Sequence, residues 1–146
     1  MKRKALFLLF YCYTLFANAA NMYVTISGDD THDGTSWEYS KSSIQAAIDA
    51  SSVGDTVFIA EGIYNQSIKV KDGVHVFGGY DAFTGNRDYE VYSTIIDGTG
   101  LGKAIVNQGS SFKNPTYFDG LVLQNANHSS NGGAVILKAN GILNNC

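Results

Sequence analysis

Asp55-Thr56-Val57-Phe58-Ile59-Ala60, then Ile68-Lys69-Val70-Lys71-Asp72-Gly73-Val74-His75-Val76-Phe77-Gly78-Gly79, are the stretches whose reading decides the fold. They hold strand-length apolar runs, Val57-Phe58-Ile59, Ile68-Lys69-Val70 and Val74-His75-Val76-Phe77, closed by Gly, Asn or Asp. Period-two alternation at Ile68-Lys69-Val70-Lys71 and Val74-His75-Val76 points one face inward. The same grammar continues in Thr94-Ile95-Ile96, Ala104-Ile105-Val106, Leu121-Val122-Leu123, Ala134-Val135-Ile136-Leu137 and Ile142-Leu143. Such runs are too short for an independent sheet and become stable when stacked, each covering its neighbour's inner face. The expectation is an all-β solenoid, a parallel β-helix from Asp55 onward, with Gly62, Gly73, Gly78, Gly79, Gly98, Gly100 and Gly102 at its corners. Residues 83–92, with Arg87, Asp88 and Glu90, read as a polar excursion from the stack.

Upstream of Asp55 one helix is expected. Residues 42–51 place Ile44, Ala47 and Ile48 on one face, with Ser42 and Gln45 as a capping box and Gly54 closing the segment. So short a helix is not stable alone in water. Its apolar face should lie over the first coil as a lid, with Trp37 and Tyr39 widening the plug. Met22 to Ile26 alternates like an edge strand. The loop after it is dense in turn residues; Asp29, Asp33 and Gly34 have a calcium-loop spacing, but Thr31 and Ser40 stand where an EF-hand needs carboxylates, so a polar turn is expected. The chain therefore divides into a leader (1–19), a strand, turn and capping helix (20–54), and coils (55–146).

The first residues carry an address. Lys2-Arg3-Lys4 precedes 12 uncharged residues from Ala5 to Phe16, and Ala17-Asn18-Ala19 supplies small residues for cleavage after Ala19. Twelve residues are too few to span a bilayer, which takes about 20. Bulky Phe10 and Tyr11 before Cys12 argue against a lipoprotein site. The expected location is secreted or cell surface, extracellular or at the outer membrane, with no membrane insertion in this segment. Past Ala19 there are seven basic and 13 acidic side chains, a balance against nucleic acid or anionic lipid as partner. Cys146 alone remains among the cysteines, so no disulfide forms within the processed chain. The last residues, Asn144-Asn145-Cys146, provide no polar cap for a stacked fold, which leads to the expectation of an N-terminal portion of a longer protein, or of a short product that oligomerises through its open end.

Asp97-Gly98, Asp119-Gly120 and Asn140-Gly141 recur at spacings of 22 and 21. Aligning Val122-Leu123-Gln124-Asn125 with Ile142-Leu143-Asn144-Asn145 gives 20 instead and stacks Asn125 under Asn145. The register stays open between the two, because one residue of slip reverses the inward face.

Three stretches resemble the secreted bacterial branch of the pectate-lyase-like, right-handed parallel β-helix superfamily. They are Tyr23-Val24-Thr25 with Ser27-Gly28-Asp29-Asp30 and Asp33-Gly34-Thr35-Ser36-Trp37; Ile44-Gln45-Ala46-Ala47-Ile48 with Gly54-Asp55-Thr56-Val57 and Glu61-Gly62-Ile63-Tyr64; and Phe77-Gly78-Gly79-Tyr80 with Arg87-Asp88 before Thr94-Ile95-Ile96-Asp97-Gly98. Asn131-Gly132-Gly133-Ala134-Val135 is similar to the Gly-Gly-Ala element of polymorphic outer-membrane protein repeats, without the Phe-x-x-Asn element that accompanies it there. The resemblance implies a right-handed coil with an N-terminal cap, on a protein that is either a surface adhesin or a polysaccharide lyase or glycoside hydrolase. It carries over no active-site residue, because nothing here matches those enzymes' catalytic motifs.

The residues themselves give the same division. A lyase needs a base, usually beside carboxylates that hold calcium. Asp97 and Asp119, one coil apart and facing the same way, with Lys69, Lys71 or Lys103, would be the candidates, although turn formation alone accounts for both Asp-Gly pairs. His32, His75 and His128 have no ligand spacing, and His75 should point to solvent. Tyr23, Tyr39, Tyr64, Tyr80, Tyr89, Tyr92 and Tyr117 either plug ends and corners or stack on sugar rings. Catalytic residues thus stay unassigned, and no cofactor or metal site is expected, calcium entering only with the lyase alternative. The first expectation is an adhesin-like or carbohydrate-binding surface protein, non-catalytic in this segment, whose partner is a polysaccharide or cell-surface glycan.

Overall fold

The structure, a computed structural model, describes residues 19–103, 105–108, 111–127 and 133–146. The expected leader lies outside the described residues except for Ala19, as do Ala104, His128 and the Asn131-Gly132 pair.

The described chain is mostly β, and its three sheets are parallel. Strand β1 (Asn21–Val24) is followed by the helix α1 (Ile44–Ala50). The first circuit is β2 (Thr56–Ala60), β3 (Gly62–Tyr64) and β4 (Ile68–Lys69). Then come β5 (His75–Tyr80), β6 (Thr94–Asp97) and β7 (Val106–Asn107). A third circuit holds β8 (Thr116–Asp119), β9 (Leu121–Gln124) and β10 (Val135–Ile136), and β11 (Gly141–Asn144) begins another. The wide sheet has the order β1-β2-β5-β8-β11; the other two are β3-β6-β9 and β4-β7-β10. From β2 on, the chain visits the three sheets in strict rotation.

Alternation sets what each strand buries. Met22, Val24, Val57, Ile59, Val76 and Phe118 point inward from the wide sheet, and Ile68, Ile96, Ile105, Val106 and Leu121 meet them in one core. Each circuit covers the apolar faces of the next, which compensates for strands only two to six residues long.

The circuits differ in length. Thr56 pairs with His75, Val76 with Phe118 and Thr116 with Gly141, so successive strands of the wide sheet are offset by 19, 42 and 25 residues. The excursion between Tyr80 and Thr94 accounts for the longest offset, and it does not simply leave: Arg87 bridges back to Tyr80. Neither expected repeat is the structural one. Val122 pairs with Ile95, whereas Ile142 pairs with Tyr117 on a different sheet, so Asn125 does not lie under Asn145. Both instead end a strand in the left-handed region, at φ 55° and 46°, and donate Nδ2 to an aspartate of the preceding circuit, Asn125 to Asp97 and Asn145 to Asp119, each at 3.1 Å. The recurrent Asp-Gly and Asn residues are two copies of one corner built on two sheets.

Other expectations change in detail. Gly62–Tyr64 and Thr116–Asp119 are strands that the pattern did not mark. Gly78 and Gly79 lie inside β5, not at a corner, where the register against β2 shifts by a bulge. A Cβ on Gly78 would sit 2.4 Å from the Gly120 carbonyl oxygen, so the close approach of the third circuit requires glycine there.

The helix begins one residue later than the capping box implied. Ser43 is the N-cap, its hydroxyl accepting from Ala46 N at 3.0 Å, and the Asp30 carboxylate takes the amides of Ser42 and Ser43. Gln45 is thereby freed from a capping role. Ile44, Ala47 and Ile48 are fully buried against β1, β2 and β4. Trp37 and Tyr39 do not extend this plug: Trp37 packs on Tyr23 and Tyr80 outside the wide sheet, and Tyr39 is exposed beside His32.

Candidate functional site

The outer face of the wide sheet gathers the aromatic residues. Because Val57 and Ile59 point in, Phe58 points out, and register places Tyr23 and Phe77 on either side of it. Ring centroids run Tyr23–Phe58 at 5.6 Å, Phe58–Phe77 at 6.4 Å and Phe58–Tyr80 at 5.0 Å. Trp37, delivered by the loop before α1, sits 4.8 Å from Tyr23 and 5.7 Å from Tyr80. His75 and Tyr117 continue the row, His75 lying 6.1 Å from Phe77 and 5.2 Å from Tyr117. The result is one connected, half-buried aromatic surface drawn from four strands and one loop.

A charged group lies across it. Arg87, carried back by the excursion, sits over Phe77, Tyr80 and Tyr89 with its guanidinium 5.4 to 5.8 Å from their centroids. It donates to the Gly78 carbonyl at 3.0 Å and forms an ion pair with Asp119, which pairs in register with Phe77. Its side chain remains 31% exposed, leaving part of the guanidinium accessible. Burial raises the Tyr80 phenol above its ordinary pKa, with Arg87 opposing the shift, so Tyr80 is a neutral donor at physiological pH.

His75 is not simply exposed to solvent. Burial lowers its pKa below 6.5, and Nδ1 accepts from Tyr117 N at 3.3 Å. The proton of the neutral ring is therefore on Nε2. Beside it, Val53, Gly54, Gly73, Asn114, Pro115 and Tyr117 complete a shallow pocket of about 270 Å³.

The other candidates separate. Asp97 and Asp119 belong to different sheets, β6 and β8, so the paired-carboxylate arrangement for a lyase is not formed. Asp97 accepts from Thr99, Gln124 and Asn125, and these bonds hold its carboxyl at about 2. Lys71 closes the end of α1 through the carbonyls of Asp49 and Ser51. Asp29 and Asp33 each accept the amide two residues on, so the calcium-like spacing makes two polar turns. Tyr64 is buried, its hydroxyl donating to the Ala60 carbonyl. Tyr39 and Tyr89 are exposed, the first away from the row and the second under Arg87. His32 packs on Tyr39, and among the described residues no three His, Cys, Asp or Glu side chains converge as metal ligands.

No family model, curated protein or solved structure matches this chain. The site is therefore read from its chemistry. None of Phe58, Phe77, Trp37 and Arg87 was expected in a site: the first two were read only as strand residues, Trp37 as part of the plug over the first coil and Arg87 as part of the polar excursion. The signal available for the first two was alternation itself: each lies between residues that point inward, and so must point out.

Proposed function

We propose that this chain is a secreted or cell-surface right-handed parallel β-helix protein that binds carbohydrate on the outer face of its wide sheet and is non-catalytic in this segment. Strict rotation through three parallel sheets supports the β-helix, and the basic, apolar and Ala-Asn-Ala order of the first 19 residues supports export. The observation that carries the binding function is the connected row of Tyr23, Trp37, Phe58, Phe77, Tyr80, His75 and Tyr117.

Burying aromatic area inside the molecule is the ordinary way to stabilise a fold; placing it outside, across several strands, supplies a platform instead. The axial C–H groups of a pyranose ring are apolar and match such a surface, while its hydroxyls need donors and acceptors at the rim. Arg87, Asp119 and Tyr80 provide them. Among the described residues no helix is long and apolar enough to cross a membrane.

The test is titration of the purified chain with oligosaccharides, followed by the emission of Trp37, the only tryptophan. Trp37→Phe removes the reporter, so variants are read by calorimetry. Tyr80→Ala should weaken binding by about tenfold or more, the scale of a central aromatic anchor at about 1–2 kcal/mol. Unchanged affinity in Tyr80→Ala and Phe77→Ala would remove the row from the site.

A further inference from the structure

We infer that the pocket beside His75 and Tyr117 is a subsite for a single uncharged pyranose unit, set at the end of the aromatic row; this deepens the carbohydrate reading and rests on it. The pocket spans three successive circuits at one corner, with Val53 preceding β2, Gly73 and His75 at β5, and Asn114, Pro115 and Tyr117 at β8.

It is held open by cross-circuit hydrogen bonds. Asp72 accepts from the amides of Lys113 and Asn114, at 3.1 and 2.8 Å. The Thr116 hydroxyl accepts from Gly73 N at 2.9 Å, and His75 Nδ1 from Tyr117 N. A Cβ on Gly73, which has φ +68°, would lie 2.8 Å from Val53 Cγ1 and 3.2 Å from Asn114 Cβ, so only glycine leaves that gap.

The chemistry of the lining selects the ligand. Val53 is 62% exposed and Tyr117 36%, and with Pro115 they form apolar walls against which the C–H face of a ring can lie. Two polar groups have no hydrogen-bond partner among the described residues, the Tyr117 hydroxyl and His75 Nε2–H, and beside them the Asn114 carboxamide, which helps to hold Asp72, keeps its oxygen as an acceptor. They offer both donors and acceptors, as ring hydroxyls require. Among the described residues no lysine or arginine lines the pocket, and Arg87 is engaged by Asp119. A carboxylate placed here would lose water without gaining a cation. The volume, about 270 Å³, lies just under the roughly 300–1,000 Å³ of drug-sized pockets, a scale that suits one ring.

The full chain should be titrated separately with cellotetraose, mannotetraose and tetragalacturonate while backbone amide resonances are followed by NMR. The expected result is that a neutral tetrasaccharide shifts the amides of Val53, Gly73 and Tyr117, that Tyr117→Ala weakens it at least tenfold, and that Asn114→Ala weakens it threefold or more. Asn114→Ala keeps the test valid should Tyr117→Ala fail to fold. Shifts confined to Tyr23, Phe77 and Tyr80, or binding of tetragalacturonate alone, would overturn the subsite and leave carbohydrate binding intact. Failure of all three sugars to bind would overturn both.

Discussion

The two ends of the stacked sheets are finished differently. At the α1 end the outer edges of two of the three sheets, those of β1 and β4, meet a partner. The outer edge of β1 is paired through Tyr23 N to Gly34 O, Lys41 N to Tyr23 O and Thr25 N to Lys41 O, at 2.8 to 3.0 Å. The β4 edge is satisfied by a side chain: Gln45 accepts from Lys69 N at 2.7 Å and donates to Lys69 O at 3.2 Å, as a neighbouring strand would. Gln66 answers from the connection between β3 and β4, its Oε1 accepting from Ile44 N at 3.0 Å. At the β11 end, by contrast, Leu143 is 36% exposed, Ile142 and Val122 are also exposed, and Leu123, Val135 and Leu137 are only partly covered. Within this chain the core is better covered beside α1 than beside β11, and the local stability of the chain should fall from the first region towards the second.

The comparison is tested most severely by a charge at each end. Ile48→Asp places a carboxylate where nothing is exposed, and should cost more than about 4 kcal/mol and leave the chain unfolded or insoluble. Leu143→Asp should cost under about 1 kcal/mol in the same denaturant titration. Equal losses would erase the distinction.

A smaller effect sharpens it. Gln45→Ala removes both bonds to the β4 edge and should destabilise by about 1–3 kcal/mol, because the Lys69 amide and carbonyl lose their partner. Removing Asn145, which reaches Asp119 from an exposed position at the other end, should cost only about 0.5–1.5 kcal/mol. Native-state hydrogen exchange gives the same ordering without mutation: amides of β1 and β2 should exchange more slowly than those of β11, and uniform protection would contradict the gradient.

The smallest effects are those of pH. Asp97 has a carboxyl pKa of about 2 when folded against 3.8 otherwise, so its contribution is complete above pH 3.8 and drains away as pH falls towards 2. Its donors Gln124 and Asn125 belong to β9 and its corner, so acid should raise exchange in β9 before α1, and Asp97→Asn should flatten that response. His75 acts in a higher window. With its folded pKa lowered, the unfolded chain takes up the proton first as pH falls through 6.5, and stability declines until the folded pKa is passed. His75→Gln should reduce the change in Tm between pH 7 and 5.

Alternation made the inner faces of the wide sheet readable: Val57, Ile59 and Val76 were visible as one side of strands. The helix was visible from Ile44, Ala47 and Ile48, but its first turn was misread because Asp30, a distant residue, binds the amides at Ser42 and Ser43 and moves the cap to Ser43. β8 was hidden because Thr116-Tyr117-Phe118-Asp119 follows Pro115 and carries only one inward apolar residue, Phe118. Register was hidden for a different reason. Circuits offset by 19, 42 and 25 residues share no period, so spacing alone could not align them. The aromatic row inherits that difficulty: Trp37, Phe58 and Tyr80 become neighbours only once the pairing is known.

The Gln45 carboxamide has a consequence for how copies of this molecule meet. By occupying the hydrogen bonds of the β4 edge, it leaves a docking strand from another chain nothing to hold along β4. A strand arriving at β4 would have to displace the carboxamide before it could pair, so this edge is blunted against edge-to-edge aggregation by one neutral side chain.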